Sequence, residues 1–66
     1  MPATATYRIE VVNRPAYRFV GTPASAIAQV QRAMYVAQPE RHVEQLRDNG
    51  ETHGAYGFVD FSIRLD

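Results

Sequence analysis

Between Thr6 and Val12 the side chains alternate. Tyr7, Ile9 and Val11 fall on one side, and Arg8, Glu10 and Val12 on the other. A period of two marks a strand with one buried face. Asn13-Arg14-Pro15-Ala16 is a turn signal, because Asn tolerates a left-handed backbone and Pro presets φ. A second strand is expected from Tyr17 to Val20, with Tyr17 and Phe19 together on one face. Keeping that pair on the face of Ile9 and Val11 requires an odd number of connecting residues, three or five. The period then changes. Thr22 is a good N-cap, and Pro23 suits the first helical position, where its missing N–H is not needed. From Ala24 to Ala37 an apolar stripe of Ile27, Val30, Met34 and Ala37 recurs every three or four residues, with Gln29, Gln31 and Arg32 away from it. This predicts an amphipathic helix over the inner face of the sheet, with Tyr35 roughly opposite the stripe.

Pro39 breaks that helix. Over residues 40–48, Val43 and Leu46 suit a short helical turn, whereas in a strand they would point to opposite faces. A short helix from Pro39, closed by Asn49-Gly50, is expected. A fourth strand is the alternative, because Asn-Gly is also a hairpin pair. Glu51 to Gly54 reads as a polar loop. One long final strand is expected from Ala55 to Leu65, with Val59, Phe61, Ile63 and Leu65 inward and Tyr56, Phe58, Asp60, Ser62 and Arg64 outward. The predicted fold is α+β: a small antiparallel sheet of three or four strands with one main helix on one face, ordered ββαβ or ββαββ. The whole of 1–66 forms one domain. Its expected core is Tyr7, Ile9, Val11, Tyr17, Phe19, Ile27, Val30, Met34, Val59, Phe61, Ile63 and Leu65.

Composition narrows the function classes. A chain of 66 residues buries a modest core, so association with a partner is a natural way to gain stability. With no cysteine there is neither a disulfide framework nor a thiolate metal site, which fits a reducing, cytoplasmic setting. No apolar run approaches a membrane span, and Met1-Pro2-Ala3-Thr4 has none of the charged and apolar regions of a signal peptide. All seven basic residues are Arg, balanced by seven acids to a net charge of zero. Nucleic-acid binders draw much of their affinity from a basic excess, so neutrality argues against an indiscriminate one. Arg-only basicity favours fork-shaped recognition of carboxylates, phosphates and aromatic faces.

Catalytic constellations are not legible. His42 and His53 stand eleven apart near Glu44 and Glu51, without the three or four convergent ligands of a metal site, and read as surface histidines. The four glycines, at 21, 50, 54 and 57, form no phosphate cradle. Gly21-Thr22-Pro23 reads as a turn and a cap. Ser25, Ser62 and the threonines have no base at a recognisable offset. No enzyme, cofactor or metal is expected.

The string Tyr56-Gly57-Phe58-Val59-Asp60-Phe61 resembles the core of the RNP1 segment of RNA-recognition-motif domains, and Ile9 to Asn13 is similar to their RNP2 segment. Gly54-Ala55 stands where RNP1 begins with a basic residue, and Glu10 where RNP2 carries a stacking aromatic. The resemblance implies that Tyr56 and Phe58 stack single-stranded bases. Independently of it, period two places Arg8, Arg18, Arg64, Tyr56 and Phe58 on the open face of the sheet, with Tyr35 a further exposed aromatic. Tyr, Phe and Arg are residue types enriched at protein interfaces. The leading expectation is therefore a small non-enzymatic protein acting by protein–protein contact, as an inhibitor or modulator of a larger bacterial or phage machine. The alternative is a single-stranded nucleic-acid binder. A second copy of the chain is a further candidate partner, through the open face or an edge strand.

Overall fold

A computed structural model of the protein describes residues 4–66; Met1, Pro2 and Ala3, on which the reading of the N-terminus partly rests, lie outside the described residues. The elements are β1 (Ala5–Val11), β2 (Tyr17–Gly21), α1 (Pro23–Gln31), α2 (Pro39–Asn49), β3 (Glu51–Tyr56) and β4 (Val59–Leu65). The strands form one antiparallel sheet in the order β2-β1-β4-β3. The expected α+β class and antiparallel sheet are present, with four strands. Two helices rather than one main helix make the order ββααββ.

Five residues connect β1 to β2, an odd number as the face argument requires. The Arg14 N–H donates to the Val11 carbonyl at 3.1 Å, and Asn13 takes a left-handed φ of 63°. Tyr7 then lies opposite Phe19 and Ile9 opposite Tyr17, all directed to the helices. At the start of α1 the Thr22 Oγ1 accepts from the Ser25 N–H at 3.1 Å. The helix stops at Gln31 instead of running to Ala37. The Ala33 and Met34 N–H groups both donate to the Val30 carbonyl, at 2.8 and 3.0 Å, and the chain then leaves the axis. That departure buries Val36, leaves Ala37 exposed, and lets the chain turn into α2. Pro39 disfavours a right-handed helical conformation at Gln38, whose φ is 53°.

α2 ends as its sequence predicts. Gly50 has φ 76°, and its N–H donates to the Leu46 carbonyl at 3.0 Å, an αL cap. The fourth strand lies just beyond, in 51–56, where a polar loop is expected from the sequence. The polarity of Glu-Thr-His-Gly hides a strand because Thr52, although polar, is buried and hydrogen-bonded to α2. The single long strand expected over Ala55 to Leu65 is in fact the last two residues of β3, a two-residue turn at Gly57-Phe58, and β4. Gly57 has φ 65°; Gly at the first central position is the type II′ hairpin signature.

The core lies between the sheet and the helices: Tyr7, Ile9, Val11, Phe61 and Ile63 from β1 and β4, Ala26, Ile27 and Val30 from α1, and Val36 and Leu46. Phe19, Met34 and Val59 pack against it half-buried. Tyr17 and Leu65, also expected inside, are 42% and 53% exposed, at the outer strand and a strand end, although Leu65 still covers Gly50.

Candidate contact surfaces

The strand register brings three of the expected site residues together. Arg8 on β1 pairs with Arg18 on β2 and with Arg64 on β4, and Arg64 pairs with Glu51 on β3. These form one row across the face of the sheet away from the helices. Like charges directly opposite are destabilising in a sheet, so the row relies on nearby acids. Arg8 Nε meets Glu10 Oε1 at 3.3 Å, and Arg18 pairs with the Asp66 carboxylate. Among the described residues Arg64 has no ion-pair partner. Nearer the Gly57-Phe58 turn, Glu10, Val12, Arg14, His53 and Asp60 line a shallow depression of ≈ 680 Å³.

The aromatics lie elsewhere. Tyr56 pairs with Val59, so its side chain stands on the helix side of the sheet and not on the arginine face. The sequence reading placed it outward by carrying one alternation through Gly57-Phe58; the two-residue turn resets that alternation. Tyr56 meets Tyr35 edge-on, with ring centroids 4.8 Å apart and planes at 60°. Phe58 projects from the turn itself and is fully exposed, at 101%. Tyr35 and Tyr56 remain 62% and 60% exposed, so one end of the molecule carries an aromatic tip. The arginine row crosses β3–β4 at the other end, about five residues or ~17 Å along the strand. The RNP1-like string is therefore two strands and a turn rather than one strand, and it supplies no flat stacking platform over the arginines.

A polar cluster that the sequence did not signal ties α2 to β3. The Thr52 hydroxyl donates to Gln45 Oε1 at 2.7 Å. Its single proton is thereby used, so at its 2.8 Å contact with His42 Nδ1 it accepts. This network places a proton on His42 Nδ1. Burial first, then the charges of Arg41 and His53, hold the His42 pKa below the ordinary histidine value. The His42 ring meets Phe61 edge-on at 5.2 Å. A Cβ at Gly54 would come within 2.8 Å of Phe61 and 3.0 Å of His42, so only glycine leaves room for that stack. His53, paired with Ser62, lies on the opposite face, and the two histidines do not converge. Only the placement of His42 and Gln45 three apart on a helix could have hinted at the cluster.

Elsewhere, burial raises the Tyr7 hydroxyl pKa. On the surface of α2, the Arg47–Asp48 hydrogen bond raises the pKa of the arginine and lowers that of the aspartate. The Tyr17 hydroxyl donates to Gln29 Oε1 at 3.2 Å, linking β2 to α1. Among the described residues, no helix is long and apolar enough to cross a membrane, and no group of three or more potential metal ligands stands together. No family model, curated protein or solved structure matches this chain.

Proposed function

We propose that this chain is a small non-enzymatic binding protein that acts by protein–protein contact, as an inhibitor or modulator of a larger bacterial or phage machine in the cytoplasm. The observation that carries this reading is Phe58, fully exposed at a turn tip beside the Tyr35–Tyr56 pair. The turn needs a positive φ at Gly57. It makes no demand for an aromatic at the next position, where a small polar residue suits a hairpin. An uncovered phenyl ring adds little to the stability of the free chain. Covered by a partner, it becomes the kind of aromatic anchor that dominates interface energetics. The mixed charges of the open face suit orientation and selectivity in such an encounter. Cysteine-free composition supports the cytoplasmic setting.

The test is a photo-crosslinking residue at position 58, compared with one at position 62 on the sheet face. A discrete protein adduct formed from 58, and lost when Tyr56→Ala is added, is the expected result. Equal adducts from both positions, or none from 58, would remove the tip as the contact.

A second reading rests on the arginine row alone. Guanidinium groups in register across a sheet favour a phosphate-rich strand, so single-stranded nucleic acid remains the alternative partner. It expects salt-sensitive anisotropy with a mixed-sequence RNA, abolished by Arg8→Ala with Arg64→Ala. Because the aromatics lie off that face, Phe58→Ala should leave the signal intact.

A further inference from the structure

The sheet has two outer strands, and only one carries its own protection. In β3 the hydrogen bonds to β4 run through the even-numbered residues. The two-residue turn makes Tyr56–Val59 a hydrogen-bonded pair, and the ladder repeats every second residue to the Leu65 N–H bond with the Gly50 carbonyl at 2.8 Å. Glu51, His53 and Ala55 therefore direct their N–H and C=O groups away from the sheet. All three are exposed, and among the described residues none of their backbone groups bonds to anything beyond the strand. Natural sheets usually guard such an edge with Pro, Lys, a bulge or a mid-strand charge. β3 has none of these, and its only charge is Glu51 at one end. β2, at the other edge, directs Arg18 and Val20 outward and places a charged guanidinium in mid-strand.

We propose that β3 is a self-association edge, pairing antiparallel with β3 of a second copy about a two-fold axis at His53. The register follows from counting outward groups. With the axis at His53, Glu51 lies opposite Ala55 of the second copy and His53 opposite its own counterpart, so all three outward residues of each chain are bonded. Moving the axis by one residue engages only two of the three. A parallel pairing would set Glu51 beside Glu51, whereas the antiparallel one sets it beside an alanine. The contact is isologous and closed, giving a dimer with one continuous sheet, and not a filament. This inference stands apart from the proposed function, because the aromatic tip lies at the turn, outside the paired residues.

Sedimentation equilibrium of the purified chain from micromolar to several hundred micromolar tests it, with circular dichroism and thermal melting as the check on folding. The wild type is expected to be a monomer–dimer system. Ala55→Pro removes an N–H that no monomer bond uses, fits an extended edge, and is expected to raise the dimer dissociation constant at least tenfold. The register has its own test. Ala55→Lys adds two symmetric pairs with Glu51 and is expected to tighten the dimer about fivefold, whereas Ala55→Glu weakens it by a similar factor. If Ala55→Pro fails to fold, this charge pair decides alone. A monomer at every concentration overturns the proposal, as does a dimer indifferent to Ala55→Pro or to the two charges. An open-ended polymer, which would indicate β2 pairing with β3, overturns it as well.

Discussion

Adjacent residues of the same two strands meet opposite surroundings on the two faces of the sheet. Ile9 and Ile63 lie opposite each other under the helices and are 0% and 1% exposed. One position away, half-buried Arg8 and exposed Arg64 lie opposite each other on the open face, although like charges in that geometry repel. The packed face carries the folding energy, through apolar area removed from solvent. The open face contributes little to folding and even tolerates an unfavourable row. Surface residues free of packing duties are those available for recognition, which is the lesson of the contrast.

The two faces should separate most widely in a pair of truncations. Ile63→Ala should cost about 2–5 kcal/mol, whereas Arg64→Ala, one residue on, should stay within about 0.5 kcal/mol; urea denaturation measures both. A large loss from Arg64→Ala would mean that the open face is structural.

Two glycines at opposite ends of the packing scale sharpen it further. Gly54→Ala drives a methyl group into Phe61 and His42, an overpacking that should cost roughly 1–3 kcal/mol. Gly57→Ala meets no atom within 4 Å, so its cost is conformational only, on the order of 1–3 kcal/mol for an alanine held at the positive φ of a type II′ turn. Thermal melting of the two variants separates crowding from backbone strain.

A smaller effect comes from acid. The folded His42 pKa lies below its unfolded value, chiefly through burial, so the unfolded chain takes up the proton first. This histidine's contribution is complete above the ordinary histidine value of about 6.5 and fades as pH falls from there through the folded pKa. His42→Asn keeps a donor near Thr52 without the titration. It should flatten the pH dependence of stability between neutral and mildly acid conditions; an unchanged slope would locate that dependence elsewhere. The smallest effect on folding belongs to the residue with the largest proposed functional role. Phe58→Ser should shift stability by no more than about 0.5 kcal/mol while abolishing the adduct formed by a photo-crosslinking residue placed instead at the neighbouring exposed position 35.

Where each element was legible depended on whether its signal was local. The β1–β2 alternation and the odd connection are local, and the register of Tyr7 with Phe19 follows them. The Thr22-Pro23 start and the Gly50 end of the helices are likewise local backbone chemistry. β3 was illegible because its inward residues are Thr52, Gly54 and Tyr56, none of them aliphatic. Thr52 is acceptable in the interior only because Gln45 and His42 complete its hydrogen bonds. Tyr56-Gly57-Phe58 deceived for the converse reason: its residue types read as one continued alternation, whereas the two-residue turn resets it and puts Tyr56 on the face of Val59. The Gly-X hairpin signature lies within the string at Gly57-Phe58, inside what the sequence alone presents as one strand. The arginines share one face and Tyr35 is exposed, as expected, whereas Tyr56 and Phe58 lie off the arginine face.

Local chemistry encodes the α+β class, the two faces of β1 and β2, the start of α1 and the cap at Gly50, because each depends on residues within one turn or one strand; residues 40–48 read as either helix or strand. Tertiary structure decided where α1 stops, that β3 exists, and that the arginine row and the aromatic tip are separate surfaces. Those outcomes depend on partners far apart in the chain: Val36 sealing the core, His42 and Gln45 meeting Thr52, and Tyr35 meeting Tyr56. No local pattern encodes such partners, because the free energy that selects them exists only once the sheet and helices are packed.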